Sequence, residues 1–149
     1  MVFVGAIASV SAPPSAAADH LGGEDFQVIA RVISERDVDL GKKGPSVGDF
    51  FIFNERLMKR GERVGSDSGR CDLIRATNNT YTIHCMVTLT LKGKGQLTVQ
   101  GNIAFKRGKN DDPVLAITGG TGDYAGASGE FVLDEGRTGP TRYHIHLVD

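Results

Sequence analysis

The chain has 149 residues, 17 of them basic and 18 acidic, for a formal net charge of −1. That length suits one domain with a single core. The balanced charge argues against nucleic acid or an anionic membrane as partner, and no apolar run is long enough to cross a bilayer as a helix.

Residues 1–18 differ in composition from the rest. Val2 to Val10 is small and apolar, and Ser11-Ala12-Pro13-Pro14-Ser15 and Ala16-Ala17-Ala18 follow. This reads as the hydrophobic region and small-residue cleavage site of a secretory signal, although no Lys or Arg precedes Arg31. A disordered Ala/Pro tail is the alternative. The expected organisation is a leader over residues 1–18 and one domain over 19–149.

From Phe26 onward the apolar period is two, the signature of half-buried strands. Phe26, Val28, Ala30 and Val32 share one face. Phe51, Phe53 and Leu57 share a face with Asp49 and Glu55. Tyr81, Ile83, Cys85, Val87, Leu89 and Leu91 form a third set, and Leu97, Val99, Ile103 and Phe105 a fourth. Tyr143, Ile145 and Leu147 alternate with Arg142, His144 and His146. No amphipathic helix with capping signals is found. Turn signals at Gly41–Pro45, Arg60–Glu62, Asn78-Asn79, Lys92–Gly95, Gly108–Pro113, Gly119–Gly129 and Gly136–Pro140 leave eight strands. Short connections make neighbours antiparallel, and closure into a barrel hides both edges. The pattern alone leaves a two-sheet sandwich open as well.

Cys71 and Cys85 lie symmetrically about the Asn78-Asn79 turn, so a hairpin centred there sets them opposite each other. An even count in an exported protein favours a disulfide; two reduced, buried cysteines are the alternative. Glu55 stands among Phe51, Phe53 and Leu57, a carboxyl on an apolar face, where burial suits it to donate a proton. Tyr143 also faces inward and is a second candidate donor; a buried tyrosine hydroxyl needs a partner. Asp49 reads as a turn residue at a strand start. Asp123, in the glycine-rich turn, is a candidate ligand contact at the barrel mouth. His144 and His146 share a face, as metal ligands could, but that face is exterior and no third ligand is evident, so no metal site is expected.

Several segments carry a resemblance to the allene oxide cyclase and dirigent barrel superfamily. These are Ile33-Ser34-Glu35-Arg36-Asp37, Gly48 to Phe53 with Asn54-Glu55-Arg56-Leu57, Gly65 to Cys71, Gly95 to Gly101, and Gly119 to Gly129. The resemblance spans Phe26 to Leu147 and implies an all-β, eight-stranded antiparallel up-and-down barrel. It implies cofactor-free control of a reactive intermediate by an apolar cavity, and it is compatible with a homo-oligomer, dimer or trimer. Positions that are a catalytic glutamate and asparagine in allene oxide cyclases are Val32 and Ser34 here; a pocket tyrosine is Ile103 and a pocket asparagine is Glu55. True allene oxide cyclase activity is therefore not expected. Glu55 matches the dirigent second-strand acid, Ser128 replaces the dirigent glycine-motif arginine, and Asp123-Tyr124 resembles the dirigent loop.

The expectation is thus a secreted barrel that binds a small apolar or phenolic molecule. It would act as a cofactor-independent cyclase, isomerase or stereocontrol protein with Glu55 as catalytic acid. Val32, Ser34, Phe51, Phe53, Ile103, Asp123 and Tyr143 would contact ligand. A non-catalytic binding or structural barrel is the rival.

Overall fold

A computed structural model of the chain describes residues 23–109, 111–136 and 139–148. The leader expected over residues 1–18 lies outside them. Eight strands follow in order: β1 (Asp25–Val38), β2 (Phe50–Lys59), β3 (Glu62–Ala76), β4 (Thr80–Leu91), β5 (Gly95–Lys106), β6 (Val114–Gly120), β7 (Ser128–Asp134) and β8 (Thr141–Val148). Each pairs antiparallel with the next, and β1 pairs with β8 to close the barrel. The sandwich is therefore excluded. The described helical structure is a single turn of 3₁₀ helix over Gly122–Tyr124.

The local chemistry accounts for the connections. Between β2 and β3, Arg60 and Gly61 take φ of 51° and 81°, a two-residue turn whose twist suits a hairpin. The Gly119–Gly129 segment folds inward and seals one end. There Tyr124 is buried and its ring stacks on Phe26 at 6.4 Å. Close approach requires the glycines: a Cβ on Gly120 would stand 2.5 Å from the carbonyl oxygens of Gln96 and Tyr124.

Inside, the half of the barrel nearest this plug is solid. Val28, Leu57, Leu89, Leu97, Val99 and Ile145 are essentially without solvent contact. The other end is less completely paired. The β1–β8 register runs from Asp25↔His146 to Ala30↔Thr141, so among the described residues β1 from Arg31 to Val38 has only β2 as a ladder partner. The β5–β6 register likewise stops at Gln100↔Ala116 while β5 runs on to Lys106. Two splayed seams thus open one end of the barrel.

Candidate functional site

Three polar side chains meet where the packed half gives way to the open half. Glu55 on β2 and Asp67 on β3 are directly opposed in register, and Tyr143 comes from β8. Their exposures are 8%, 4% and 5%, so all three are removed from bulk water. The Tyr143 hydroxyl donates a hydrogen bond to Oε2 of Glu55. The Tyr143 ring leans on Phe131 with centroids 4.7 Å apart, which fixes the direction of the hydroxyl.

Asp67 is the least satisfied group of the three. Neither carboxyl oxygen makes a hydrogen bond of good geometry, although the Glu55 carboxyl and the Tyr143 hydroxyl both lie close enough to interact with it. Burial first, and then repulsion from Glu55, push its carboxyl up to about 8 from an ordinary 3.8. Two carboxyls set side by side away from water cannot both ionise cheaply, so the pair retains a proton that isolated carboxyls would lose. Burial, then the charges of Asp67 and Glu55, hold the Tyr143 phenol well above its ordinary 10.0, so it remains a hydrogen-bond donor.

Above Glu55 and Tyr143 lies a cavity of 220 Å³. Phe51, Phe53, Val87, Ile103, Leu115 and Phe131 make most of its apolar wall. Phe53 can lie across the neighbouring strand because residue 69 is glycine: a Cβ there would stand 2.4 Å from the ring. The Cys71–Cys85 disulfide forms part of the wall and joins the directly opposed residues of β3 and β4. The cavity shares walls with two clefts at the open end. A 380 Å³ cleft shares Phe51, Cys71 and Ile83 with it. A 580 Å³ cleft shares Ile103, Phe105, Leu133 and Glu135.

The structure therefore brings together Val32, Phe51, Phe53, Glu55, Ile103 and Tyr143 around one space, with Val32 at its exposed rim. It does not bring Ser34 or Asp123 there. A bulge between Val32 and Ser34 shifts the β1 register, so that Ser34 accepts a hydrogen bond from Asn54 Nδ2 at 3.1 Å on the exposed side. Glu35 lines the cavity instead. Asp123 sits on the 3₁₀ turn of the plug, at the opposite end from the cavity. Asp49 accepts hydrogen bonds from the backbone N–H groups of Leu40 and Ser46, which hold its carboxyl below the usual range; it is a turn residue. His144 and His146 face out and lie 3.8 Å from Asp134 and 3.1 Å from Asp25, respectively.

Sequence reasoning missed Asp67, Glu35, Glu135 and Thr141, the last three being additional lining residues. For Asp67 a signal existed. It stands four residues before Cys71 on the same strand face, with glycines at positions 65 and 69 on either side.

Comparisons with known proteins agree with this architecture. A structure titled pyocyanin demethylase is 28% identical with a TM-score of 0.74, and the match covers 84% of this chain and 100% of that one. A pterocarpan synthase dirigent protein superposes with a TM-score of 0.64 at 14% identity, covering 95% and 96% of the two chains. The Diels Alderase from Streptomyces koyangensis gives 0.61 at 13% identity, and the match spans 85% of this chain but only 64% of that structure's length. No curated protein matches the chain by sequence. The family model described as the allene oxide cyclase barrel like domain matches residues 29–145, and the chain belongs to that family.

Proposed function

We propose that the protein is a cofactor-independent enzyme that moves a proton on a small, largely apolar aromatic or phenolic molecule and so cyclises or isomerises it. The observation that carries this reading is the Glu55–Asp67–Tyr143 cluster at the floor of an otherwise apolar cavity. Glu55 is the catalytic residue, because it lines the cavity and can touch a reacting atom. Tyr143 orients its carboxyl and can follow charge as it develops. Asp67 is a positioning residue that holds a proton behind Glu55 and alters the charge Glu55 feels. The aromatic walls limit the conformations of a reactive substrate. The names of the structural relatives, a demethylase acting on pyocyanin among them, support a small-molecule substrate.

We further take the chain to be exported, a reading supported by the composition of residues 1–18 and by the disulfide. A homo-oligomer belongs to the same reading, supported by Ile52 and Met86, which are exposed on either side of Arg70 on the barrel exterior. A purely binding barrel is favoured by the apolar residues at Val32 and Ile103, where related cyclases carry polar groups.

Nitrobenzisoxazole tests the chemistry without knowledge of the natural substrate. A base takes its carbon-bound proton, the N–O bond breaks, and a nitrile and a phenolate form in one step. The wild-type protein is expected to accelerate this elimination, and Glu55→Gln to lose about 10²–10⁴ of the rate. Equal rates for the two proteins would leave only the binding barrel.

A further inference from the structure

Among the described residues, the Cys71–Cys85 bridge is approached from one side. Both cysteines are buried, at 4% and 2% exposure, and both stand on the inward faces of β3 and β4. Outside them the two strands pair without a break from Gly65↔Leu91 to Leu73↔Ile83. Arg70 and Asp72, the neighbours of Cys71 on β3, close that outer side with an ion pair at 2.7 Å, and the Arg70 guanidinium lies 3.6 Å from the centre of the Phe50 ring. Inside, both cysteines line the 220 Å³ cavity, whose rim includes Val32 at 59% exposure. Cys71 also lines the 380 Å³ cleft, which Cys85 does not.

The surroundings also fix what opening the bridge does. Two thiols need more room than two bonded sulfurs. The residue facing Cys85 on β5 is Gly101, and Leu115 fills the space a side chain there would take: a Cβ would stand 2.7 Å from Leu115 Cδ2. Phe51 faces Cys71 from β2. The room that remains is the cavity itself. The strand pair does not need the bridge to stay together, because its ladder runs on past the cysteines in both directions.

We propose that the Cys71–Cys85 bridge is a thiol–disulfide exchange site of the folded barrel, open to small dithiols that enter the cavity and closed to peptide-sized ones. A thiolate of the dithiol attacks Sγ of Cys71, the sulfur whose residue borders both spaces. A new S–S bond forms as the Cys71–Cys85 bond breaks, and Cys85 leaves as a thiolate. The second thiol then attacks this mixed disulfide and releases Cys71. The dithiol departs as its own disulfide, so two electrons pass to the cysteine pair, and the two cysteine thiolates take up the two protons the dithiol has lost. At ~30 Å³ per water, the 220 Å³ cavity is worth about seven waters, enough for a small dithiol and too little for a tetrapeptide. Reduction moves a sulfur into the chamber and changes its shape; an occupied chamber in turn shields the bridge. The site does not depend on Glu55 turning over a substrate.

The test reduces the folded full chain at about pH 8 with dithiothreitol and with a tetrapeptide carrying a cysteine at each end, trapping freed thiols by alkylation and reading the mass. Each rate is divided by the same dithiol's rate on the chain unfolded in urea, which removes intrinsic reactivity. This ratio is expected to be about tenfold or more higher for dithiothreitol than for the peptide. The dithiothreitol rate should also change by less than about twofold between 0 and ~1 M urea, whereas a route through global unfolding rises about fivefold or more. Ile83 lines both the cavity and the cleft, two residues before Cys85 on the same strand face. Ile83→Phe is expected to slow dithiothreitol by about three- to tenfold, with circular dichroism confirming that the barrel is folded. Brief exposure to the monothiol cysteamine, quenched in acid, should leave the adduct on Cys71. Equal ratios for the two dithiols, a rate that climbs steeply with urea, or a folded protein that dithiothreitol leaves oxidised would each overturn the proposal; an adduct on Cys85 would overturn the assignment of the attacked sulfur. The two wild-type comparisons decide the matter even if the Ile83 variant does not fold.

Discussion

Asp67 shows how one buried side chain can tie stability to chemistry. Its carboxyl binds a proton more tightly in the folded barrel, at about 8, than in the unfolded chain near 3.8. Between those values the folded protein carries the extra proton, so stability falls as pH rises from about 4 towards about 8, by at most ~1.4 kcal/mol per pH unit. Asp67→Asn removes this dependence. Melting curves of the variant and the wild type are expected to differ increasingly in the variant's favour as the pH approaches about 8; parallel profiles across that window would show that Asp67 holds no proton there. The same residue shows what alternation could and could not reveal. Its place on the inward face of β3 follows from Cys71, four residues on, but its pairing with Glu55 required the β2–β3 register. Tyr143 and Glu55, by contrast, were legible from alternation alone, because each follows an uninterrupted period of two. Ser34, carried over from the family resemblance, lies away from the cavity because an extra residue between Val32 and Ser34, which no propensity marks, turns the later side chains to the other face.

At the scale of the element, the β3–β4 hairpin is the best specified part of the chain. Its centre at Asn78-Asn79 sets Cys71 opposite Cys85, and the observed register pairs them. Their bridge closes a loop with a sequence separation of 14, for which constraint of the unfolded chain contributes roughly 3 kcal/mol. Substituting both cysteines by alanine is expected to lower unfolding stability by about that amount in urea, and reduction of the wild type should produce a comparable loss. A protein equally stable with and without the bridge would refute this. The strands on either side of the splayed seams are less well specified by sequence. Nothing in the composition of β1 or β5 announces where a neighbour stops pairing, yet those stops create the entrances.

For the whole molecule, closure at one end and opening at the other define its polarity. The plug depends on backbone approaches that only glycine allows. At Gly122, φ is 63° and a Cβ would stand 2.4 Å from the carbonyl oxygen of Lys94. Gly122→Ala is expected to cost roughly 1–3 kcal/mol, lowering the melting temperature by several degrees. A shift under about 0.5 kcal/mol in denaturant titration would mean that the plug relaxes freely.

The sequence by itself determined the class of fold, because a period of two interrupted by turn residues admits few arrangements of eight strands, and the family motifs selected the barrel among them. It also determined the inward faces of β2 and β8, and hence Glu55 and Tyr143. The end of the barrel that opens was decided only in three dimensions, and so Asp123 was expected at the mouth but lies in the plug. The partnership of Glu55 with Asp67, and the gathering of Glu35 and Glu135 at one rim, were likewise tertiary outcomes. Alternation is a local property carried by each strand, whereas register, bulges and the stagger of closure depend on contacts between residues far apart in the chain.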